Sequence, residues 1–350
     1  MPATRIAVAG AGYIGRDHIA AARASDTVEL SAIVDPAPNA ASVAADAGVP
    51  LYPDLAALFE RDRPDGIVLA TPNQLHLAHA STCMDAGVPV LIEKPLADSV
   101  AASAAIHQAA LERRATVLVG HHRTHSPIMR LAREIIDSGR LGQLVAVNGT
   151  TLLCKPDEYF EQAPWRKEPG AGPILLNLIH EVHNLRILCG EIVQVQAFTS
   201  NATRGFAVEE TAAVALRFAN GVLGTFLLSD AVGSARSWEQ TAAENPAYPT
   251  YADEDCYHVA GTLGSVSIPT FRLKTYATAA DRSWWKPFEI AVAELHRADP
   301  IRLQMEHFGA VVRGEAAPLC TVADGLTNVR VVEAVRESAA TGAPVDIPTP

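Results

Sequence analysis

The stretch IAVAGAGYIG, residues 6–15, decides how the first part of the chain folds. An apolar run ends at Gly10, and Gly12 and Gly15 follow it at the spacing G-x-G-x-x-G. Glycines at these positions permit a tight turn, a close approach of the backbone to a pyrophosphate, and close packing of the next helix on the strand. The stretch therefore predicts a strand, a phosphate-binding turn and a helix.

An acidic residue stands where such a unit needs one. The apolar run 28–34 ends directly before Asp35, at the expected distance of about 20 residues from the last glycine. A carboxylate here accepts hydrogen bonds from a ribose 2′-hydroxyl and repels a 2′-phosphate, which favours NAD over NADP. Arg16 lies close enough to weaken that preference, and a tight turn without a ligand is the alternative.

Composition and charge exclude several classes of function. The chain has 350 residues, 49% of them hydrophobic, which is enough for about two domains. Its net charge of −11 and its lack of a long basic run argue against binding to nucleic acid. The apolar runs are too short for a signal peptide or a membrane span, and the 5 scattered cysteines form no C-x-x-C pair. These features predict a cytoplasmic protein.

Alternating apolar runs and helical patterns fill residues 1–123. The apolar runs cover residues 6–9, 28–34, 66–70, 88–92 and 116–119, and helical patterns cover 75–86 and 99–113. Such alternation predicts an α/β domain with a doubly wound parallel sheet buried on both faces.

Strand-like runs dominate the second predicted domain, residues 124–350. They cover residues 144–153, 193–199, 212–218, 222–228 and 265–268, and Asn220-Gly221 is a hairpin signal. Ser126-Pro127 and Thr321 are helix-start signals. The pattern predicts an α+β domain on a mostly antiparallel sheet, whose last helix is a candidate to pack back on the first domain.

Two segments offer catalytic groups. Lys94 follows the apolar run 88–92, at the edge of an α/β sheet where ligands bind, and its ammonium could polarise a carbonyl or stabilise an alkoxide. On a regular helix over 174–188, Asn177, His180 and Asn184 share one face. His180 is the candidate general base, since an imidazole titrates near ~6.5. The alternatives are a solvated lysine and a polar face directed to water.

Histidine-rich stretches raise the question of a metal. Residues 180–183 read His-Glu-Val-His, which spaces the histidines by three instead of the four of a zinc-protease helix. His121, His122 and His125 form a dense group with no acidic ligand close by in the sequence. We predict no metal, and leave open the roles of these three residues and of His183.

The motifs together resemble the glucose–fructose oxidoreductase / inositol dehydrogenase (Gfo/Idh/MocA) family. The resemblance covers nearly the whole chain and rests on residues 9–15, Thr71-Pro72-Asn73 with His76, Glu93-Lys94-Pro95, and the glycine-rich entry at 170–173 to the helix with His180. It implies an N-terminal Rossmann domain and a C-terminal α+β domain with a large open sheet that mediates dimer or tetramer contacts.

The resemblance also implies a reaction and its residues. It implies NAD-dependent interconversion of a ring hydroxyl and a ketone on a sugar, cyclitol or related polyol, with Lys94 and His180 as the acid/base pair. The cofactor residues are then Gly10, Gly12, Tyr13, Ile14, Gly15, Asp35, Thr71, Pro72, Asn73, His76, Glu93 and Lys94. We expect the substrate at Arg123, Tyr159, Trp165, Arg166, Asn177 and Asn184, because aromatic rings stack on sugars and polar side chains bind hydroxyls.

The chain departs from the family at the proposed proton relay. The family often has an aspartate four residues before the histidine, where this chain has Leu176, and the neighbouring Asn177 cannot act as a carboxylate. Three alternatives stay open: a dihydrodiol-type dehydrogenase, a glycosidase that retains its NAD, and a dinucleotide-binding sensor without turnover.

Overall fold

The computed structural model describes residues 3–168 and 171–348, which fall into two compact units. The first unit contains the chain up to His125 together with Asp299–Val329. The second contains Ser126–Ala298 and the chain from Arg330 onward. The chain thus passes into the second unit after His125, and a later segment returns to the first unit. In the part of the chain that is described, no helix combines the length and apolar character needed to cross a membrane.

A parallel sheet forms the centre of the first unit. Its strands are β1 (Thr4–Ala9), β2 (Val28–Val34), β3 (Leu51–Tyr52), β4 (Gly66–Leu69), β5 (Val90–Glu93) and β6 (Val117–Gly120). The helices between them are α1 (Tyr13–Arg23), α2 (Ala40–Ala47), α3 (Leu55–Arg61), α4 (His76–Asp85) and α5 (Val100–Arg113), with short turns at Asn73–Leu75 and His122–His125.

The strand order of this sheet locates a ligand crevice. The order is β3-β2-β1-β4-β5-β6, and every neighbouring pair is parallel. Chain progression reverses between β1 and β4, and a doubly wound sheet binds ligands outside the carboxyl ends at such a point. The predicted doubly wound sheet is confirmed, and the short edge strand β3 is an addition to it.

A mixed sheet forms the centre of the second unit. Its strands are β7 (Leu144–Leu152), β8 (Ile192–Ser200), β9 (Thr211–Phe218), β10 (Leu223–Ser229), β11 (Tyr257–Gly261), β12 (Gly264–Ile268), β13 (Arg272–Thr275), β14 (Glu289–Val292) and β15 (Val345–Asp346). The helical segments are α6 (Pro127–Asp137), α7 (Asp157–Glu161), a turn at Pro164–Lys167, a π-helix at Ile174–Leu178, α8 (Ile179–Cys189), α9 (Trp238–Thr241) and a turn at Ala279–Asp281.

The predicted, mostly antiparallel sheet is confirmed. Its strand order is β14-β13-β12-β11-β7-β10-β9-β8-β15, and β7 and β10 are the parallel pair. The hairpin between β9 and β10 turns at Asn220-Gly221, where Gly221 has a φ of 87° and donates its N–H to Phe218 at 3.0 Å. Strands β11, β13, β14 and β15 lack a clear sequence signal.

One face of this sheet is exposed and carries several large apolar side chains among polar ones. Along β9 and β10, alternate side chains such as Val214 and Phe226 are buried. Side chains on the opposite face include Leu223, which is 57% exposed, and Leu227, and the neighbouring strand β8 adds Phe198, which is 70% exposed. Monomeric proteins seldom expose so many large apolar side chains on one surface.

Two helices follow β14 in the sequence, α10 (Pro300–Val312) and α11 (Val322–Thr341). Met305 and Phe308 of α10 join the apolar core that Ile6 and Val28 form beside the parallel sheet. Thr321 caps α11 as predicted, because its hydroxyl accepts the N–H of Asp324 at 3.2 Å and its own N–H is bound by the Asp324 carboxylate at 2.9 Å.

Candidate active site

The glycine turn after β1 brings strand and helix into close contact. Gly10 has a φ of 98°, and a Cβ there would lie 2.4 Å from the carbonyl oxygen of Ala70. A Cβ on Gly15 would lie 1.9 Å from the carbonyl oxygen of Gly10. In contrast, nothing lies within 4 Å of a Cβ built on Gly12. The turn is tight on its inner side and open in front of the helix.

Asp35 completes this turn from the end of β2. One oxygen of its carboxylate accepts the N–H of Ala11 at 2.7 Å and the other accepts the N–H of Ala37 at 2.8 Å. These bonds fix the carboxylate beside the glycine turn, and each oxygen keeps a lone pair for a hydroxyl donor.

The residues present fit a dinucleotide. Helix α1 begins after Gly12, which has no side chain to cap it, so the N–H groups of its first turn can bind a pyrophosphate in the open space. Asp35 lies where a ribose hydroxyl is bound in such units. Arg16 donates to the carbonyl oxygen of Ala11 at 3.2 Å. Tyr13 and Ile14 are the first residues of the helix.

The loop after β4 is held by a buried histidine. Nε2 of His76 lies 2.9 Å from the carbonyl oxygen of Thr71, and Nδ1 lies 3.1 Å from that of Pro95 and 3.2 Å from that of Leu96. Burial lowers the pKa of His76. His76 lies between the 71–73 loop and the turn after β5, and its neutral ring has one N–H to donate to a carbonyl oxygen on one of the two sides.

The turn after β5 carries the candidate lysine. Glu93 is buried at the end of the strand, and its carboxylate accepts the backbone N–H of Lys94 at 3.0 Å. The Lys94–Pro95 peptide is cis. Glu93, Lys94, Asp35 and the glycine turn therefore all lie at the carboxyl edge of one parallel sheet, as their sequence positions predict.

The histidine-rich segment lies beyond the end of the neighbouring strand β6. Nε2 of His121 accepts a hydrogen bond from Asn328 at 3.0 Å, and His121 is buried. Burial, with the positive charge of Arg123 next to it, lowers the pKa of His122 to about 3. Arg123 itself is buried, which leaves little of its side chain to bind a substrate.

The segment before His180 differs from the regular helix that its sequence suggests. Residues Ile174–Leu178 form a π-helix, and the α-helix begins only at Ile179. Gly170 lies outside the described residues. The wider turn changes the phase between Asn177 and His180, so the two do not follow regular α-helical spacing. Glu209 accepts the N–H of Ile174 at 3.1 Å and so caps the start of the segment.

Helix α8 is almost entirely buried, which contradicts the solvated polar face considered above. His180 is 8% exposed, and Asn184 is 0% exposed. Nδ2 of Asn184 donates to the hydroxyl of Tyr257 at 3.1 Å, and that hydroxyl donates to the carboxylate of Glu181. Asn184 is therefore part of a buried polar network inside the second unit, and the structure gives it no exposed surface for a substrate.

A lysine that the sequence reading missed binds Asn177. Nζ of Lys155 donates to Oδ1 of Asn177 at 2.8 Å and lies 3.1 Å from the carboxylate of Asp230. Arg204 binds the same carboxylate and donates to the carbonyl oxygen of Lys155 at 3.0 Å. Lys155 and Asn177 are 22 positions apart in the sequence, which explains why no sequence pattern joins them.

Three of the predicted substrate residues lie together, Tyr159 on α7 and Trp165 and Arg166 on the turn that follows it. The guanidinium of Arg166 lies 3.7 Å from the centre of the Tyr159 ring and donates to the Tyr159 carbonyl oxygen at 2.6 Å. Trp165 beside it is 56% exposed. The segment therefore offers an exposed indole face and a cation stacked on a phenol ring.

Fold and site define a dinucleotide-binding α/β protein, and comparison with known proteins gives its family. Residues 4–121 match a family model described as "Oxidoreductase family, NAD-binding Rossmann fold", and residues 129–267 match the "GFO/IDH/MocA C-terminal domain". The chain belongs to the Gfo/Idh/MocA family of NAD-binding oxidoreductases, as the sequence motifs predict.

The similarity to individual proteins covers part of this chain in some cases and nearly the whole chain in others. A 4-carboxy-2-hydroxymuconate-6-semialdehyde dehydrogenase from Sphingobium sp. is 38% identical over 139 residues, which is 39% of this chain and 44% of the relative. The rhizopine catabolism protein MocA from Rhizobium meliloti is 25% identical over 95% of this chain and 94% of its own. The WlbA dehydrogenase from Bordetella pertussis, solved with NADH and UDP-GlcNAcA, shares the fold with a TM-score of 0.78 at 24% identity, over 100% of both chains.

Replacing Gly12 with alanine should weaken NADH binding about tenfold or more without lowering the unfolding temperature. The added methyl group would meet no protein atom but would occupy the space in front of the helix. Nucleotide titration and thermal unfolding measure the two effects. Gly233→Ala is the matched control, because a Cβ there also meets nothing within 4 Å. Unchanged NADH affinity in Gly12→Ala would contradict the assignment.

Replacing His122 with glutamine should make the protein more resistant to acid. The folded-state pKa of about 3 lies below the unfolded value, which is near ~6.5. As pH falls below about 6.5, the unfolded chain takes up a proton that the folded chain does not, so stability falls by up to about 1.4 kcal/mol per pH unit. Urea unfolding at neutral and mildly acidic pH should show a smaller loss in the variant. An equal loss of stability in wild type and variant would disprove this prediction.

Proposed function

We propose that the protein interconverts a secondary alcohol and a ketone on the ring of a sugar, cyclitol or related polyol, using NAD. One observation carries the proposal: an open glycine turn, the anchored Asp35 and Lys94 all lie at the carboxyl edge of one parallel sheet. Membership of an oxidoreductase family supports it, and His180 on the second unit supplies a candidate base.

The cofactor is held by the residues of the first unit. The first-turn N–H groups of α1 bind the pyrophosphate, Asp35 binds the adenosine ribose, and the 71–73 loop lines the crevice. Bound NAD supplies the hydride acceptor, or NADH the donor. His76 and Glu93, whose side chains are buried, hold the surrounding loops instead of contacting the nucleotide directly.

Lys94 and His180 have different roles at the substrate: Lys94 stabilises charge on the reacting oxygen, and His180 transfers a proton. The Lys94 ammonium donates a hydrogen bond to the reacting oxygen and stabilises the negative charge that develops on it. The His180 imidazole removes the hydroxyl proton during oxidation and returns it during reduction. No carboxylate stands at position 176 to orient this histidine, so the buried surroundings of α8 fix its side chain.

Substrate hydroxyls are recognised by Asn177 and the segment after α7. Lys155 occupies Oδ1 of Asn177, so the amide N–H groups are left to donate to a substrate oxygen. The exposed face of Trp165 stacks on the apolar face of a ring. Arg123 and Asn184 contribute through packing, because both are buried.

A second candidate is the same reaction on a ring alcohol that also carries a carboxylate. The cations of Lys155 and Arg166 lie 5.2 Å and 3.7 Å from the centre of the Tyr159 ring, and cationic side chains favour anionic groups. One similar dehydrogenase is named for 4-carboxy-2-hydroxymuconate-6-semialdehyde, and the WlbA dehydrogenase was solved with UDP-GlcNAcA; both compounds carry a carboxylate.

Substitution of Lys94 or His180 by alanine should lower kcat about a hundredfold or more, with NADH affinity changed less than about threefold. The assay follows nicotinamide absorbance with inositols, aldoses, anhydrosugars, ring diols and uronic acids. Lys274→Ala, an exposed lysine on β13, is the control. Undiminished kcat in Lys94→Ala would refute the assignment of Lys94.

The same assay separates the other functions. A cleaved glycoside without net change in nicotinamide would indicate a glycosidase that retains NAD. Tight NADH binding with no turnover of any compound would indicate a sensor. Turnover of uronic acids alone would select the carboxylated substrate.

The exposed sheet face pairs with a second copy of the chain in this proposal. Its large apolar residues include Phe198, Leu223 and Leu227, and burying such a surface is the main driving force for stable association. Phe198→Glu with Leu223→Glu should yield a monomer in sedimentation velocity. Leu111→Glu, an equally exposed leucine on α5, should leave the oligomer intact. A wild-type monomer would contradict the proposal.

A further inference from the structure

A buried polar pair joins the nucleotide helix to the strand that precedes Lys94. His18 lies on α1 and is 0% exposed, and its Nε2 lies 2.8 Å from Oε1 of Glu93 at the end of β5. The second oxygen of Glu93, Oε2, accepts the backbone N–H of Lys94 at 3.0 Å. Each oxygen of this carboxylate is therefore bound to a different element, which fixes its position and orientation.

The carboxylate of Glu93 is also confined by the neighbouring strand β6. On the neighbouring strand, a Cβ at Gly120 would lie 2.7 Å from Oε1 of Glu93, so the absence of a side chain there makes room for it. The other ring nitrogen of His18, Nδ1, is buried and finds no hydrogen-bond partner within the described residues. The bond to Glu93 is thus the polar contact that orients the His18 ring.

The electrostatics favour an ionised Glu93. Burial by itself raises the pKa of this carboxyl. The hydrogen bond from His18 and the positive charge of Lys94 lower the pKa by more than burial raises it, so the pKa lies below its usual range. A buried carboxylate that lost one of these partners would be costly to keep charged. His18 therefore stabilises the charge that binds the Lys94 backbone.

We propose that His18 is a positioning residue for the reaction: its bond to Glu93 holds the carboxylate against the Lys94 N–H and so sets where the Lys94 side chain is presented. The inference rests on the proposed function, in which Lys94 contacts the reacting oxygen. Helix α1 begins directly after Gly12, beside the pyrophosphate site, and carries His18 on a later turn. The same helix therefore borders the proposed pyrophosphate site and carries the histidine that positions Lys94 through Glu93.

A matched pair of variants tests the hydrogen bond itself. His18→Gln keeps an N–H donor near the position of Nε2, whereas His18→Met has the same length and no donor. We expect kcat to fall about tenfold or more in His18→Met and to stay within about threefold of wild type in His18→Gln. Affinity for NADH, measured by titration, should change little in either variant, which shows that the fold is intact.

A double-mutant cycle with Glu93→Gln then tests the route of the effect. If His18 acts through Glu93, adding His18→Met to Glu93→Gln should lower kcat no further. Equal kcat in the glutamine and methionine variants, or an additive loss in the double variant, would overturn the inference. Loss of NADH binding in both single variants would also overturn it, because His18 would then be needed for the fold. Lys94→Ala, run in parallel, separates these outcomes from failure of the proposed function.

Discussion

The contact between Gly15 and the carbonyl oxygen of Gly10 is the constraint on which the first unit depends. A side chain at Gly15 would overlap that oxygen, so only glycine allows α1 to start this close to β1. The position of α1 has two consequences. It leaves open space before the N–H groups of its first turn, and it brings His18 within hydrogen-bonding distance of Glu93.

The second unit depends on a different constraint, because helix α8 buries several polar side chains. Buried polar groups need hydrogen-bond partners. Asn184, Tyr257 and Glu181 form one such chain of hydrogen bonds, and each member lies on or packs against α8. Near its start, Lys155 satisfies Asn177 while Asp230 balances the lysine charge. The position of the helix therefore depends on specific polar pairs as well as on apolar packing.

Sequence reading predicted the features that depend on local pattern. The limits of β2 agree with the apolar run at 28–34, and the glycine turn, Asp35 and Lys94 lie at one sheet edge as expected. It missed β3, which has two residues, and β14, whose side chains are all exposed and show no buried alternation. Neither strand has the periodicity by which strands are recognised.

The site was harder to predict where it depends on pairing between distant residues. His18 and Glu93 are 75 residues apart, and only the tertiary fold of the first unit brings them together. The grouping of Asn177, His180 and Asn184 assumed a regular helix, and the π-helix at Ile174–Leu178 breaks that assumption. Burial of Asn184 and Arg123 also depends on tertiary packing, which residue type does not reveal.

The return of α10 to the first unit has a consequence for synthesis of the chain. Domains usually fold as units while the ribosome is still extending the chain. Here Met305 and Phe308 fill the core beside Ile6 and Val28, yet they leave the ribosome only after the entire second sheet apart from β15. The first part of the nucleotide-binding unit is therefore synthesised early, but its core is completed only when α10 has been made. Until then, an apolar face of its sheet lacks part of its cover, and exposed apolar surface of this kind is what chaperones bind.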